Sequence, residues 1–400
     1  MSTSIIYHAF GAVNYHHLKT EFNQGSLIFH INKREKRCAC CHGYRVIQKG
    51  RRQRLIQTVS IGWKRVFFRV ENRRLYCHDC GALRHEALEI ADPKKHYDKK
   101  LERYVAHLCS KMTVQDVAEE LSLSWDTVKE IDKKRLERNR PKPSRLRKIR
   151  RLGIDEVAVR KRHRYLTICV DLDTGDVVYV GEGRKEESLL PFLKRLKRLK
   201  SKLLAVAVDM WPAYLSAIRK CFPKVAVIFD RYHIMANYSK LLDTLRNSEH
   251  RKAAEEDKDL FKGVRYLLLK GQEKLEEEDC EKLQTLLQLN EPLSMAYILK
   301  EELRRFWDCA NKKEGRAYLR NWISMAGESG IKALKDFAES LQSHSRGLIA
   351  YFSHKISTAR VEGINNKIKV LKRKAYGYRD MEYFKLKIYA AKKMRYSLFG

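Results

Sequence analysis

The spacing of apolar and polar residues changes character several times along this chain, and each change predicts an element type. Period-two alternation runs through Arg54-Leu-Ile-Gln-Thr-Val-Ser-Ile and Arg65-Val-Phe-Phe-Arg-Val, the pattern of strands with one covered face. Between Tyr97 and Arg138 the period lengthens to that of helices. Leu101, Tyr104, Val105 and Leu108 form one stripe, and Val114, Val117, Ala118 and Leu121 form a second. Thr113 begins the second stripe with a capping-box pattern, and Ser124 caps a third helix through Trp125, Val128 and Ile131. The spacing therefore predicts helix, short turn, helix.

Strands return beyond Arg150. Leu152 to Val159, Tyr165 to Leu172 and Val177 to Val180, with a turn at Asp173-Thr-Gly-Asp, predict an antiparallel meander. A helix from Glu186 to Lys200, a strand from Leu203 to Val208, a helix from Ala213 to Cys221 and a strand from Val225 to Phe229 follow. Such crossovers demand parallel strands, so the expected sheet is mixed, in the order of a ribonuclease-H-like core. In that order Asp155 and Asp209 lie side by side. From His233 to about His354 the pattern is helical throughout, with Trp307, Trp322 and spaced leucines as its core. Its acidic stretch, Glu273 to Glu281, reads as a solvated face. The last helix starts near Ser357. Val361, Ile364, Ile368 and Leu371 share its apolar side, whereas Glu362, Asn366, Lys369 and Arg373 share the other.

Charge adds a partner to this outline. Lys and Arg number 83 against 49 Asp and Glu, a formal charge of +34, which points to a polyanion, with nucleic acid ahead of an anionic membrane. No apolar run approaches the roughly 20 residues that cross a bilayer. The amino terminus lacks the basic and apolar regions of a secretory signal, so a cytoplasmic protein is expected. Lys133 to Arg151 carries eleven bases against Glu137 alone, and Lys367 to Arg395 carries eleven against two acids. The first of these runs reads as a linker tracking a phosphate backbone. In a helix-turn-helix the last helix enters the major groove, where Asp126, Thr127, Lys129 and Lys133 would face DNA.

Ten cysteines in a reducing compartment suggest thiols or metal ligands rather than disulfides. Cys38-x-x-Cys41 and Cys77-x-x-Cys80 bracket the predicted hairpin, and four thiolates suit a closed tetrahedral Zn²⁺ site. Cys40, His42 and His78 are alternative ligands at this level. Against this basic background a lone carboxylate, Glu362, joins two strand aspartates, Asp155 and Asp209. Hard carboxylate oxygens suit Mg²⁺ or Mn²⁺, so the three acids suggest a two-metal phosphoryl-transfer site.

The ordered set of cysteine pairs, helix-turn-helix, Gly153-Ile-Asp-Glu, Val208-Asp-Met-Trp-Pro-Ala-Tyr, Phe229-Asp-Arg-Tyr-His and Glu362-Gly-Ile-Asn-Asn-Lys-Ile-Lys resembles the insertion-sequence transposases of the bacterial L-three family. The resemblance covers nearly the whole chain. It implies a polynucleotidyl transferase of the DDE type, with a ribonuclease-H-like domain interrupted by a helical insertion and preceded by zinc-binding and helix-turn-helix regions. Asp155, Asp209 and Glu362 would be the catalytic triad holding two Mg²⁺ or Mn²⁺ ions. Asp230 and His233 match an Asp-x-x-His motif, with Tyr232 where phenylalanine is commoner. His233 could orient Asp209 or a DNA phosphate. Asn365, Asn366, Lys367, Lys369 and Arg373 would hold DNA strands near the metals. Double-stranded DNA, as element ends and target, is the implied partner. Because two ends must be joined, a homodimer or higher oligomer is expected, associated with a bacterial nucleoid.

The expected organisation is a zinc module over 1–96, a helix-turn-helix over 97–140 and a basic linker over 141–149. A catalytic core over 150–233 and 351–400 then flanks a helical insertion over 234–350. Two rivals share much of this pattern. A zinc and helix-turn-helix regulator would not need the three acids, and a ribonuclease-H-like nuclease or resolvase would cut without joining.

Overall fold

The computed structural model of the protein describes residues 5–160, 164–253, 258–259 and 261–393. The chain separates into two compact units, one containing Met1–Asn139 and the other Arg140–Lys392. Both are built on mixed five-stranded sheets.

In the first unit a short helix α1 (Ile5–His8) leads into β1 (Tyr15–Asn23), β2 (Ser26–Lys33), β3 (Val46–Ile61), β4 (Lys64–Cys77) and β5 (Leu83–His85). The sheet runs β1-β2-β4-β3, with β5 paired to β4. β2 and β4 are parallel, and their neighbours are antiparallel. β3 and β4 are longer than the alternating segments predict, because their ladder continues through polar residues as far as Val46 and Cys77. Phe29, Ile31, Ile56, Val66, Phe68 and Val70 fill the core beside this sheet.

Three helices follow in the same unit: α2 (Lys99–Leu108), α3 (Val114–Leu121) and α4 (Trp125–Glu137). Each starts as its sequence dictates. Asp98 accepts from the Leu101 amide, Thr113 and Asp116 form a reciprocal capping box, and Ser124 accepts from Thr127. Ser122 ends α3 in the left-handed region at φ 49°. Leu101, Val105, Val117, Ala118, Leu121, Val128 and Ile131 make their common core.

The second unit begins with α5 (Pro143–Leu146), followed by β6 (Arg151–Arg160), β7 (Arg164–Asp171), β8 (Asp176–Glu182), α6 (Glu186–Arg198), β9 (Ala205–Val208), α7 (Pro212–Cys221) and β10 (Ala226–Phe229). The strand order is β10-β9-β6-β7-β8. β6, β7 and β8 are antiparallel, whereas β9 and β10 run parallel to β6. Helices α8 (Arg231–Lys252), α9 (Val264–Leu269), α10 (Glu277–Leu289), α11 (Glu291–Arg305), α12 (Lys312–Glu328) and α13 (Lys332–His354) come next. Trp322, Tyr238, Leu299 and Leu341 are buried among them and share one apolar cluster with β9 and β10. The absence of a side chain at Gly347 lets α13 lie against the Phe229 ring of β10. Finally α14 (Ala359–Lys374) and α15 (Met381–Tyr389) return to the sheet. No helix among the described residues is long and apolar enough to cross a membrane.

Candidate active site and metal centres

Strand register brings the two aspartates together. β6 pairs in parallel with β9 through Leu152↔Val206 and Gly153↔Ala207. Two residues further on, the same register sets Asp155 beside Asp209. β9 pairs with β10 through Val208↔Phe229, so the next position sets Asp209 beside Asp230. β6 continues to Arg160 against β7, with Asp155 opposite Ile168. Asp155 is therefore mid-strand on one side and beyond the last pair on the other, where a splayed strand end leaves room for a ligand.

His233, in the first turn of α8, stands between these acids. Its Nε2 is 3.9 Å from Asp155 Oδ1, and its Nδ1 is 3.7 Å from Asp209 Oδ2. Both distances exceed a hydrogen bond. Burial is the largest influence on Asp155 and raises its carboxyl above the ordinary range, with Asp209 and Asp230 adding to the shift and His233 opposing it. Burial likewise raises Glu156, against the Arg184 guanidinium.

Three of the contacts that seat helix α14 on this sheet bear on Glu362. Buried Thr358 precedes it and spends its hydroxyl on Asp230 Oδ2 at 2.6 Å instead of capping the helix. Its carbonyl accepts from the Glu362 amide at 2.9 Å. Asn365 Nδ2 donates to Asp155 Oδ2 at 2.8 Å. The third contact is steric: a Cβ at Gly153 would lie 2.6 Å from Val361 Cγ2 and 2.8 Å from Leu172 Cδ2, so only glycine admits the helix this close. Glu362 itself is exposed in the first turn of α14.

Asn365 is placed differently from its neighbours on α14. It is 5% exposed, and its Oδ1 is buried without a partner, whereas Asn366, Lys367, Lys369 and Arg373 are exposed. Asn366 accepts from Lys369 at 3.3 Å. The sequence signal for Asn365 is its place on the wheel, beside the apolar stripe rather than opposite it. On α4, Asp126 is exposed, Thr127 and Lys133 are half-buried, and the Lys129 ammonium lies 5.0 Å from the centre of the Trp125 ring.

The other cluster lies in the first unit. Cys38 and Cys41 precede β3, Cys77 ends β4, and Cys80 sits in the turn beyond it. Sγ atoms of Cys38 and Cys80 are 3.6 Å apart, those of Cys41 and Cys77 are 3.5 Å apart, and all four lie within 4.8 Å of one another. These spacings are too long for disulfides, whose bond is about 2.0 Å. They fit a tetrahedron with Zn–S bonds of about 2.3 Å, whose edges are near 3.8 Å. Amides of Cys41 and Cys40 donate to the Cys38 sulfur and bring its thiol down to about 6, which favours the ligating thiolate. The Cys40, His42 and His78 side chains stand outside this four-sulfur group. Among the described residues it is the one set of three or more such ligands gathered within that distance. Asp155, Asp209 and Glu362 are held by backbone register and helix seating, not by mutual contact.

Residues 152–388 match the family described as transposase, and residues 86–136 match the helix-turn-helix domain of transposase family ISL3. These matches define a DNA-transposing protein. The chain belongs to transposase family ISL3. It is 36% identical to the transposase for insertion sequence element IS1001 of Bordetella parapertussis, over 84% of each chain. It is 28% identical to the transposase for insertion sequence element IS1557 of Mycobacterium tuberculosis, over 69% of this chain and 67% of that one. A solved structure, the Drosophila P element transposase strand transfer complex, aligns with 61% of this chain and 77% of its own at 10% identity and a TM-score of 0.30.

Proposed function

We propose that this transposase cuts and joins DNA through Asp155, Asp209 and Glu362, on a ribonuclease-H-like sheet interrupted by the helices α8 to α13. The observation that carries the reading is the register of β6, β9 and β10, which sets Asp155, in the middle of β6, level with Asp209 and Asp230 just beyond the ends of β9 and β10. Asp155 and Asp209, with Glu362 at the start of a helix seated on the same strand, form a hard-oxygen donor set suited to Mg²⁺ or Mn²⁺. The partnerless amide oxygen of buried Asn365 is one further acceptor beside them. When bound, two such ions polarise the scissile phosphodiester and favour ionisation of the attacking hydroxyl.

The remaining work falls to the chain's own side chains. Asn365 fixes Asp155 by donating to one carboxylate oxygen, leaving the other turned toward His233 and the Glu156 amide. Lys367, Lys369 and Arg373, exposed on the helix that carries Glu362, hold phosphates of the strand being cut. Water attacks phosphorus first, forming one P–O bond as the bond to the 3′ oxygen breaks and that oxygen leaves protonated. The freed 3′-hydroxyl then attacks a target phosphodiester, again exchanging one P–O bond for another, so joining needs no external energy source. The four cysteines hold structural Zn²⁺, and α4 reads DNA through Asp126, Thr127, Lys129 and Lys133. The working form is a dimer or higher oligomer on two element ends. The expected organisation over 1–96, 97–140, 141–149, 150–233, 234–350 and 351–400 belongs to the same proposal.

Strand transfer tests it. A labelled pre-cleaved end of the element that borders this gene, mixed with protein, Mg²⁺ or Mn²⁺ and a target duplex, should be joined to the target. Cutting without joining would instead indicate a nuclease or resolvase. Binding indifferent to metal, with no reaction, would indicate a regulator.

A further inference from the structure

Two residues beyond Asp209, an indole stands open to solvent yet firmly held. Trp211 is 40% exposed, although an apolar ring of this size is ordinarily covered. Its Nε1 donates to the Arg184 carbonyl at 3.0 Å. The Arg184 guanidinium lies 5.2 Å from the Trp211 ring centre and 4.5 Å from that of Tyr165, so it makes a cation–π contact with both rings. Arg184 also reaches Glu156, the neighbour of Asp155, at 3.7 Å. The indole is therefore fixed at one edge by a hydrogen bond and across one face by a cation, while much of its surface remains free.

The surroundings say what the free surface would take. Trp211 borders a cavity of about 490 Å³ lined also by Arg164, Tyr165, Arg184, Lys185 and Glu182, whose carboxylate is paired with Lys385 at 2.8 Å. Arg164 and Lys185 are exposed. A flat, polarisable ring in a cationic recess of this kind matches a nucleobase whose phosphates sit on the basic rim. Register places the Tyr165 side of the recess on the face opposite α14: Tyr165 pairs with Ala158, three residues beyond Asp155 and therefore on the opposite face of β6. Trp211 follows Asp209 by two residues beyond the end of β9, so a strand leaving the carboxylates past that strand end would meet it.

We propose that Trp211, backed by Arg184 and Tyr165, is a stacking platform for one unpaired nucleobase flanking the phosphodiester that is cut. The proposal rests on the catalytic reading of Asp155 and Asp209 for its location. It asks the enzyme to take a base out of its duplex, an event whose unstacking cost a preorganised ring offsets. Opening the terminal pair in this way lets the strand bend toward the carboxylates.

The test uses the full-length protein and a duplex carrying the element end, with 5-iodouracil placed in turn at each position flanking the cut. Irradiation in buffer free of Mg²⁺, Mn²⁺ and chelator, where binding proceeds without catalysis and structural zinc is retained, should crosslink one of these positions to the peptide that contains Trp211. Trp211→Ala should lose the crosslink while binding the duplex within about 3-fold of wild type, and Trp211→Phe should retain it. In Mg²⁺, Trp211→Ala should cut a fully paired end at least roughly 10-fold more slowly, as loss of a base–aromatic stack implies. A mismatch at the crosslinked position should restore most of that rate. Crosslinks mapping only elsewhere, or a Trp211→Ala protein that cuts paired ends at the wild-type rate, would overturn the platform and leave the transposase reading intact. A Trp211-dependent crosslink in a protein that neither cuts nor joins would uphold the platform and sink the catalytic reading.

Discussion

The cysteine cluster and the carboxylate cluster are both candidate metal centres, yet they are assembled by opposite means. Four sulfurs converge within 4.8 Å at one end of a single long hairpin, and two pairs already touch. The carboxylates come from β6, the end of β9 and α14, more than two hundred residues apart, and the helix is seated by Thr358, Asn365 and the bare backbone of Gly153. A site closed by its own ligands suits an ion that stays and holds the fold. A site whose acids are positioned individually keeps room for substrate, and mutual repulsion among its acids is tolerated for that purpose. The two should therefore respond differently to the same insult.

The largest difference is expected from removing one ligand of each. Cys77→Ser should abolish bound zinc and unfold the β module, since structural zinc supplies roughly 10–16 kcal/mol of folding free energy in small domains. Zinc stoichiometry and a thermal melt check this. Asp209→Asn should leave zinc content unchanged and raise the melting temperature slightly, because it relieves repulsion on buried Asp155. Its strand transfer should fall well beyond the roughly 10–100-fold cost of altering an outer partner of a metal site. A melt that drops with Asp209→Asn would mean that this acid is structural.

Gly153→Ala sharpens the contrast at the next level. The added methyl would collide with Val361 and Leu172, displacing the helix that carries Glu362, and overpacking of this kind costs about 1–3 kcal/mol. Strand transfer should fall by about 100-fold for a displacement near 1 Å, with zinc content unchanged.

The smallest effect concerns Asp98, a buried carboxylate outside both clusters. Burial raises its carboxyl above the ordinary range, although Thr58 and the Leu101 amide both donate to it and lower it. A raised acid contributes stability that is complete below its unfolded pKa of about 3.9. That contribution is lost as pH rises through the folded value. Asp98→Asn keeps the cap, and urea midpoints between mildly acidic and neutral pH should show a flatter slope than wild type.

Much of this arrangement is legible in the sequence where short-range pattern decides it. Period-two runs locate β6, β7 and β8, capping residues locate α3 and α4, and the wheel of α14 separates Val361, Ile364, Ile368 and Leu371 from Glu362 and Lys369. Tertiary pairing is less legible. The β3–β4 ladder outruns its alternating segments because backbone pairing continues where side chains are polar on both faces. Asn365 reads as a DNA contact beside Asn366, whereas the fold buries it against Asp155, a partner 210 positions away. The Trp211 and Arg184 stack is invisible for the same reason: cation and ring come from different elements, and neither position has an unusual local pattern.

The most direct measurement compares wild type with Glu362→Gln in joining a pre-cleaved element end to target DNA in Mg²⁺, with end binding measured in the same samples. Glu362 is the acid whose role depends most on α14 being carried to β6, since no contact with Asp155 or Asp209 fixes it in advance. Binding should be equal, with full joining by wild type and no detectable joining by the variant. Joining by Glu362→Gln at the wild-type rate would contradict this, and would remove Glu362 from the catalytic set.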